Sequence, residues 1–396
     1  MRAVLIWRDI GNYHLARSRA LHEKSYLEVE SVEVCGQAGF GQFRPLPSEF
    51  STFRYHGLGL SKQIEWQSVS KLLVRLLKQL RPDVVYVPGW SMVEALVALE
   101  WCVAQRVPAV IMSDSKRAMG RRTPHKEILK RGVVRQAAAA FVAGTPQAEY
   151  IMALGMPRAR VFLGYDAVDN ERFSESVRGV HAEAPALRVR FGLPEHFLLC
   201  CARLIPEKNL PRLIEAYRIY VYHAVRVAWP LVIIGPGPME TELRTLIQAH
   251  GLTDLVQLKG ALSYDDIQIF YGLAEALILP SVSETWGLVV NEAMASGLPV
   301  LVSRQCGCVD DLVEEGRNGF TFDAYDVDAI ASAVIRIAEP ECNRVAMGLE
   351  SRAIIENWGL GRFVSGFEAA ARAAVSMPKR RAGFLDRILL KALMLR

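Results

Sequence analysis

The sequence predicts an α/β protein with two doubly wound parallel sheets, one in each half of the chain. Short apolar segments alternate with longer amphipathic segments along most of its 396 residues. Such alternation is typical of parallel strands joined by crossover helices. The periodicity fades over residues 164–194, where Asp, Asn, Glu, Arg and Gly dominate. We therefore expect a connector there and a domain boundary near 165–190.

The first half contains short runs rich in Val, Ile, Leu and Ala, each followed by a helical pattern. These runs predict strands over 3–7, 29–34, 84–87, 109–112 and 139–143. Helices are predicted near 13–24, 62–80, 91–105, 125–137 and 146–154. The clearest helix is 62–80, because its apolar residues recur at helical spacing and Arg81-Pro82-Asp83 ends it.

The second half repeats this pattern. Strands are predicted over 197–201, 231–234, 256–258, 276–279 and 299–302, with helices such as 210–223 and 239–250. We predict one Rossmann-like domain over 1–170 and a second over 190–358. Residues 359–396 would form a helix that returns to the first domain and a basic amphipathic tail.

The overall charge and composition exclude several classes of protein. Lys and Arg number 47 against 42 Asp and Glu, and the net charge of +5 is too small over this length to indicate a nucleic-acid partner. With 29 Gly and 19 Pro, the chain is neither collagen-like nor of low complexity. The apolar run 3–7 is too short for a signal peptide, and Glu94 and Glu100 interrupt the run 93–104. We expect a cytoplasmic protein, soluble or peripheral to the membrane.

Cysteine usage argues against a metal site. Seven cysteines in a chain with no visible export signal predict reduced thiols. The close pairs, Cys200-Cys201 and Cys306-Gly-Cys308, lack a second pair or a His cluster to complete a zinc site. Asp326-Val-Asp328 precedes a helical pattern and favours capping over metal binding. We predict no metal ligand and no cofactor.

Gly235-Pro-Gly-Pro238 follows a predicted strand and precedes a predicted helix. Such a loop can turn backbone N–H groups toward an anion. It lacks the third glycine of the dinucleotide fingerprint and the acidic residue about 20 positions later. A tight turn is therefore the simpler interpretation.

The most informative stretch is 280–300. A strand ends at its start, a polar loop holds Glu284, and a helix beginning near Gly287 holds Glu292. The N–H groups of Gly287 and Leu288 would lie at the positive end of the helix dipole, at the carboxyl edge of a parallel sheet. This arrangement suits a phosphate or diphosphate, with carboxylates nearby to accept hydrogen bonds from sugar hydroxyls.

These carboxylates also have purely structural interpretations. Glu284 could be a charge at a helix N-terminus, and Glu292 could belong to a solvated face. Because Val289, Val290 and Met294 make this helix largely apolar, we expect Glu292 to face a cleft instead.

A second cluster, Arg203-Leu-Ile-Pro-Glu-Lys-Asn209, directly follows a predicted strand. Arg203 and Lys208 can converge on one diphosphate, the first through its planar fork and the second as a point charge. The alternative is a solvated turn with Asn209 as the helix cap.

Taken in order, these motifs resemble the family-four glycosyltransferases with the GT-B fold. The resemblance rests on 203–209, on Gly235-Pro-Gly-Pro, on Leu258-Lys-Gly-Ala, on Glu284 with seven residues before Glu292, and on Gly297-Leu-Pro-Val. It is strong over 190–340 and looser over 1–165, although 164–173 resembles the family's interdomain segment.

The resemblance implies two Rossmann-like domains facing across a cleft and retaining transfer of a sugar. The donor would be a nucleotide sugar, UDP- or GDP-linked, and the acceptor would bind mainly to the first domain. The implied catalytic residues are Glu284, Arg203 and Lys208. The implied donor-binding residues are Glu292 at the ribose, the amides of Gly287 and Leu288 at the diphosphate, and Lys259, Gly260 and Leu262 near the base.

The first domain departs from the family pattern. The family often carries a glycine-rich loop after the first strand, whereas this loop has only Gly11, followed by His14. A later position where the family often has histidine carries Asp114. These residues are candidates for the acceptor or sugar pocket. Alternatively, His14 is a surface residue and Asp114 a cap.

Two segments are strongly basic. Residues 116–126 contain Lys116, Arg117, Arg121, Arg122, Lys126 and His125, which suits a phosphate-bearing lipid acceptor, an anionic bilayer or a solvated loop. In the tail, Phe384, Leu385, Ile388, Leu389 and Leu395 can share one helical face. Such a helix either lies in a membrane interface or packs on the body of the protein.

We therefore expect a retaining glycosyltransferase that acts on a saccharide acceptor, with a lipid-linked acceptor in surface polysaccharide or glycolipid assembly as the more specific form. The partners would be a nucleotide sugar, that acceptor and an anionic membrane surface, without nucleic acid. The alternatives are a nucleotide-sugar epimerase or phosphorylase of the same fold, or a catalytically silent carbohydrate-binding protein.

Overall fold

The computed structural model divides the chain into two compact units, each built on one sheet of parallel strands. It describes residues 1–36, 47–61, 65–118, 123–224, 227–378 and 384–394. Unit 1 comprises Met1–Val168 and Gly359–Arg396, and unit 2 comprises Asp169–Trp358. The two-domain α/β fold predicted from the sequence is confirmed.

The strands and helices are numbered in chain order. The strands are β1 (Arg2–Trp7), β2 (Glu28–Glu33), β3 (Tyr55–Gly57), β4 (Val84–Pro88), β5 (Ala109–Ser113), β6 (Ala139–Val142), β7 (Val161–Leu163), β8 (Leu198–Cys201), β9 (Leu231–Ile234), β10 (Val256–Leu258), β11 (Ala276–Leu279), β12 (Val300–Ser303) and β13 (Gly319–Phe322). The helices are α1 (Asn12–Lys24), α2 (Trp66–Leu80), α3 (Val93–Gln105), α4 (Pro124–Val134), α5 (Thr145–Ala153), α6 (Asn170–Ala182), α7 (Ala184–Phe191), α8 (Leu210–His223), α9 (Glu240–Ala249), α10 (Tyr264–Leu273), α11 (Leu288–Ala295), α12 (Val309–Leu312), α13 (Val327–Ala338), α14 (Arg344–Glu356), α15 (Leu360–Ser376) and α16 (Phe384–Met394).

The unit 1 sheet has the order β3-β2-β1-β4-β5-β6-β7. Its strands are buried because helices cover both faces, as their apolar sequences require. Helix α15 packs on β6, β7 and α1. The Tyr86 hydroxyl of β4 donates to the Phe367 carbonyl of this helix, and Phe367 is fully buried. The C-terminal helix therefore returns to the first domain, as predicted.

The unit 2 sheet has the order β10-β9-β8-β11-β12-β13. The strand order reverses between β8 and β11, which pair in parallel through Ala276 with Leu198 and Leu277 with Leu199. In open parallel sheets, ligands bind outside the carboxyl ends of the strands at such a reversal. A ligand-binding site is therefore expected at the loops after β8 and β11.

The structure differs from the prediction over 164–194, where we expected a connector. Helices α6 and α7 occupy 170–191 and belong to unit 2. The apolar stripe of α6 consists of Phe173, Val177 and Val180 among exposed charged residues, so its periodicity is weak. The short edge strands β3, β7 and β13 were also missed. Residues 62–64 of the predicted helix 62–80 lie outside the described residues.

Two glycines allow the loops after β8 and β9 to approach closely. Gly235 has φ +137°, and a Cβ atom there would lie 2.1 Å from the Ala202 carbonyl oxygen. A Cβ at Gly237 would lie 2.3 Å from the Leu204 carbonyl oxygen. Because Leu204 N also donates to Pro236 O at 3.0 Å, the glycines hold the loop that carries Arg203.

We predict that Gly235→Ala lowers the free energy of unfolding by about 3 kcal/mol or more, because the added methyl meets rigid backbone at an unfavourable φ. The matched control is Gly179→Ala in α6, where a Cβ meets nothing within 4 Å. There the substitution should stabilise the chain by about 0.5–1 kcal/mol. Urea denaturation of both variants checks the pair, and equal stabilities would contradict the close approach.

Candidate active site

The loops after β8 and β11 are joined to each other by hydrogen bonds. Val282 N donates to Glu207 O at 2.9 Å. The Asn209 side-chain amide donates to Pro280 O at 3.1 Å and to Ala324 O at 2.7 Å. Asn209 is 3% exposed, so this amide makes buried bonds that hold three loops at one edge of the sheet.

Lys208 and Glu284 meet at this edge. The Lys208 ammonium donates to Glu284 Oε2, and the two side chains are 13% and 16% exposed. Ser281 Oγ lies 3.4 Å from the same carboxylate oxygen. The structure thus brings together two candidates separated by 76 positions in the sequence. Arg203 is exposed on the same loop as Lys208.

The turn that follows Glu284 leads directly into α11. Gly287 has φ +111° and precedes Leu288, the first residue of the helix. A Cβ at Gly287 would lie 3.2 Å from Leu279 Cδ2 and 3.5 Å from Glu284 Cγ. The backbone conformation of this position therefore favours glycine, and a side chain here would also crowd Leu279. The first N–H groups of α11 lie at the positive end of the helix dipole.

Glu292 is nearly completely buried in α11, with 2% of its surface exposed. Its Oε2 accepts a hydrogen bond from the Tyr271 hydroxyl at 2.7 Å. Cys201 lies close by, and burial, followed by the Glu292 carboxylate, raises the pKa of its thiol to about 12. The solvated-face interpretation of Glu292 is therefore wrong, and its carboxylate has an ordered partner.

The structure gives Lys259 a structural contact that the sequence did not predict. Its ammonium donates to the carbonyls of Phe191 at 2.8 Å and Gly192 at 3.2 Å, at the end of α7. Burial lowers the pKa of this ammonium. The neighbouring Gly260 accepts from Gly235 N at 2.8 Å, and Leu262 is half-buried.

Two residues that contact the candidate glutamates were not found from the sequence, and the alternative role of Asn209 as a helix cap does not hold. Tyr271 of α10 and Ser281 carry no motif, so only their contacts with the glutamates reveal them. Asn209 stands at the N-cap of α8 but makes no side-chain cap, because its φ of +57° turns the amide toward the neighbouring loops. Asp326 does cap α13, accepting from Ala329 N at 3.0 Å.

In unit 1, His14 is half-buried against Trp7 and is not an exposed surface residue. Its ring centroid lies 4.5 Å from that of Trp7, and its Nδ1 accepts from Gly11 N at 3.3 Å. Burial, with a smaller contribution from Arg17, lowers its pKa to about 3. The imidazole is therefore neutral at physiological pH.

Asp114 directly follows β5 and is half-buried at the carboxyl edge of the unit 1 sheet. Of the basic segment after it, Lys116 is buried, whereas Arg117, His125 and Lys126 are exposed. Arg121 and Arg122 lie outside the described residues.

The described residues contain no group of three or more His, Cys, Asp or Glu side chains that could hold a metal ion. Among the helices in the described ranges, none has the length and apolar character needed to span a bilayer.

A doubly wound sheet with a Lys–Glu pair and a helix N-terminus at its strand-order reversal is typical of ligand-binding α/β domains. Residues 188–353 match the family model described as "Glycosyl transferases group 1". The matched segment contains every candidate donor residue. This segment of unit 2 is therefore similar to the group 1 glycosyl transferases, and the glycosyltransferase resemblance inferred from the sequence is confirmed.

Individual relatives support the same family. The chain is 31% identical over 193 residues to the amylovoran biosynthesis glycosyltransferase AmsK of Erwinia amylovora, covering 47% of each chain. It is 30% identical over 220 residues to the GDP-mannose-dependent alpha-(1-6)-phosphatidylinositol monomannoside mannosyltransferase of Mycobacterium tuberculosis, covering 54% of this chain and 55% of that protein. The chain thus spans about half the length of these relatives.

The solved structure of HepE from Anabaena in complex with UDP has a similar fold. Its TM-score is 0.72 at 16% identity, and the match covers 93% of this chain and 98% of HepE. This similarity extends over both units and shows that the fold is that of the GT-B glycosyltransferases.

We predict that His14 makes the stability of the chain depend on pH. Its folded pKa of about 3 lies below its unfolded value of 6.5. The unfolded state therefore binds the proton first, and stability falls as pH decreases from about 6.5 toward 3. At pH 5 the loss relative to pH 7.5 should be about 1–2 kcal/mol.

His14→Gln should remove this dependence while keeping the bond to the N-cap, since Gln147 accepts from Gly144 N at 3.1 Å in the same position of α5. Urea denaturation at pH 7.5 and pH 5 measures the difference. His22→Gln, which removes an exposed histidine from the same helix, is the control. The same pH slope in His14→Gln and wild type would contradict a neutral, desolvated His14.

Proposed function

We propose that this chain is a retaining glycosyltransferase that moves a sugar from a UDP- or GDP-linked donor to a saccharide acceptor. The observation that carries this proposal is the contact between Lys208 and Glu284 at the strand-order reversal of a group 1 glycosyl transferase domain. Departure of a nucleoside diphosphate leaves negative charge on the leaving phosphate. Cations and amides that are already in place stabilise that charge selectively in the transition state.

Each candidate then has a defined role. Arg203 and Lys208, with the Gly287 and Leu288 amides, neutralise the diphosphate. Glu284 contacts the transferred sugar, and its bond to Lys208 orients it before the donor arrives. Glu292 accepts hydrogen bonds from the ribose hydroxyls.

Two contacts refine the donor site. The Tyr271 hydroxyl donates to the Glu292 carboxylate and thereby holds it in one orientation for the ribose hydroxyls. Because the Lys259 ammonium is bound to the end of α7, the backbone of Gly260 and the side chain of Leu262 are the better candidates beside the nucleobase.

Unit 1 would bind the acceptor. Gly11, His14 and Asp114 lie at or just beyond the carboxyl ends of β1 and β5, where ligands bind in parallel sheets. One relative is named for amylovoran biosynthesis, and another is named a phosphatidylinositol monomannoside mannosyltransferase. These names support a lipid-linked saccharide acceptor and a role in surface polysaccharide or glycolipid assembly.

We predict that Glu284→Gln lowers kcat by about 10²–10³-fold, because it removes a charge that acts on the reacting sugar. Lys208→Met should lower kcat to a similar extent. Glu207→Gln alters an exposed side chain in the same loop and should leave the rate unchanged.

The assay measures product and nucleoside diphosphate formed from a panel of UDP- and GDP-sugars, with the anomeric configuration of the product determined by NMR. Full activity in Glu284→Gln would contradict its role, and an inverted product would contradict retention.

The described part of the C-terminal tail packs on unit 1, which is one of the two arrangements that its sequence allowed. Leu390 of α16 is fully buried in the unit 1 core, and α16 packs on α3 and α4. A Cβ at Gly132 of α4 would lie 2.4 Å from Leu389 Cδ2. The apolar side of this helix therefore covers the protein at Leu389 and Leu390. Residues 379–383 and 395–396 lie outside the described residues.

We propose that α4 and α16 together form a surface for anionic lipid at the inner face of the membrane. Ile128 of α4 is 66% exposed and Ile388 of α16 is 45% exposed. Exposed cations at Lys126, Arg131 and Lys391 accompany them. Apolar side chains among cations suit the interface of an anionic bilayer.

We predict that the triple variant Lys126→Gln/Arg131→Gln/Lys391→Gln binds vesicles containing phosphatidylglycerol about 10²-fold less tightly, since each cation near the surface contributes about 1 kcal/mol. The matched control is the triple variant Lys71→Gln/Arg75→Gln/Lys78→Gln, which neutralises three exposed cations of α2. Co-sedimentation at low and high salt measures binding. Equal losses in the two triple variants would contradict a specific α4–α16 surface.

A further inference from the structure

Two buried tryptophans connect the candidate catalytic turn with the point where the chain leaves unit 2. Trp286 lies between Glu284 and Gly287 and is 1% exposed. Trp358, the last residue of unit 2, is 7% exposed. Their ring centroids are 5.5 Å apart, with planes inclined by 36°. This contact therefore joins the turn that carries Glu284 to the end of unit 2, although the two segments are distant in the sequence.

Hydrogen bonds fix Trp286 on two other sides. Its indole N–H donates to Asn291 Oδ1 at 2.9 Å, and Asn291 is fully buried in α11 next to Glu292. Its carbonyl accepts from Cys308 N at 3.1 Å. Since Gly287 gives the turn wide backbone freedom, these contacts select one position for the turn.

Trp358 is itself held where the chain crosses between the units. Its N–H donates to Ile355 O at 2.8 Å. The same carbonyl accepts from the side-chain amide of Asn170 at 2.7 Å, and Asn170 stands just after the other crossing, at 168–169. The two chain segments that pass between the units, at 168–169 and 358–359, therefore each have a neighbouring residue bound to the Ile355 carbonyl. A backbone rotation at 358–359 would either move the Trp358 ring or break its contact with Trp286.

We propose that Trp286, Asn291 and Trp358 are positioning residues that hold Glu284 and the Gly287 amide in place for the donor. Through Trp358, the position of this turn depends on the backbone conformation at the second crossing. This inference rests on the proposed function, because it concerns the same donor site. None of the three side chains takes part in the chemistry itself.

A double-mutant cycle between Trp286→Phe and Glu284→Gln tests the inference. Trp286→Phe keeps an aromatic ring but removes the donor to Asn291, so kcat should fall about tenfold while the donor KM changes by less than about threefold. In the Glu284→Gln background, the same substitution should lower kcat by less than about threefold, since the group that it positions is already lost. An equal fold-decrease in kcat on Trp286→Phe in the wild type and in Glu284→Gln would overturn the inference.

Trp358→Phe tests the second contact and should lower kcat by about three- to tenfold in the same assay. Trp101→Phe is the matched control, because Trp101 is 6% exposed in the unit 1 core and far in sequence from the turn. A lower unfolding temperature with unchanged kcat in Trp286→Phe or Trp358→Phe would show a merely structural role and overturn the inference.

If Trp286→Phe does not fold, the variant Trp286→Phe/Asn291→Leu removes both polar partners and leaves no unpaired acceptor, so the cycle can be run with it instead. A wild-type chain that binds UDP or GDP but transfers no sugar from any donor would refute the proposed function, and this inference with it. If the wild type transfers sugar but the effects of Trp286→Phe and Glu284→Gln on kcat are independent of each other, only this inference is refuted.

Discussion

The parallel pairing of β8 with β11 is the constraint on which the candidate site depends. These strands are neighbours in the sheet although about 75 residues separate them, and the helices that follow them leave on opposite sides. The space left between the two loops is where Lys208 meets Glu284. Without that pairing, the cation and the carboxylate would be isolated features of two unrelated loops.

The loops at this edge are held by buried polar contacts and by glycines. Asn209 binds two carbonyls from different loops, and the glycines at 235 and 237 let backbones approach to distances that any side chain would prevent. Asn209, which has a side chain, adopts a positive φ that such residues rarely take. Strain of this kind at a sheet edge is typical of sites where a ligand must find donors already in place.

In unit 1, some helices complete the core with one side and expose apolar side chains and cations on another. His14 is held neutral against Trp7, and α16 uses Leu390 to complete the core. Helices α4 and α16 leave Ile128 and Ile388 exposed among cations. An amphipathic sequence can thus cover a core on one side and present a surface on the other, and only the packing shows which residues do which.

The amino-acid sequence by itself determined the alternation of strands and helices, the two-domain fold and the motif positions of Glu284 and Glu292, because these depend on local periodicity and spacing. It did not reveal α6, whose apolar stripe is narrow, α7, which has no buried residue, or the structural use of Lys259. Tertiary structure alone decided that Tyr271 pairs with Glu292, that Asn209 joins three loops, and that Trp358 contacts Trp286. Each of these contacts joins residues far apart in the chain, so no local pattern of spacing can encode it.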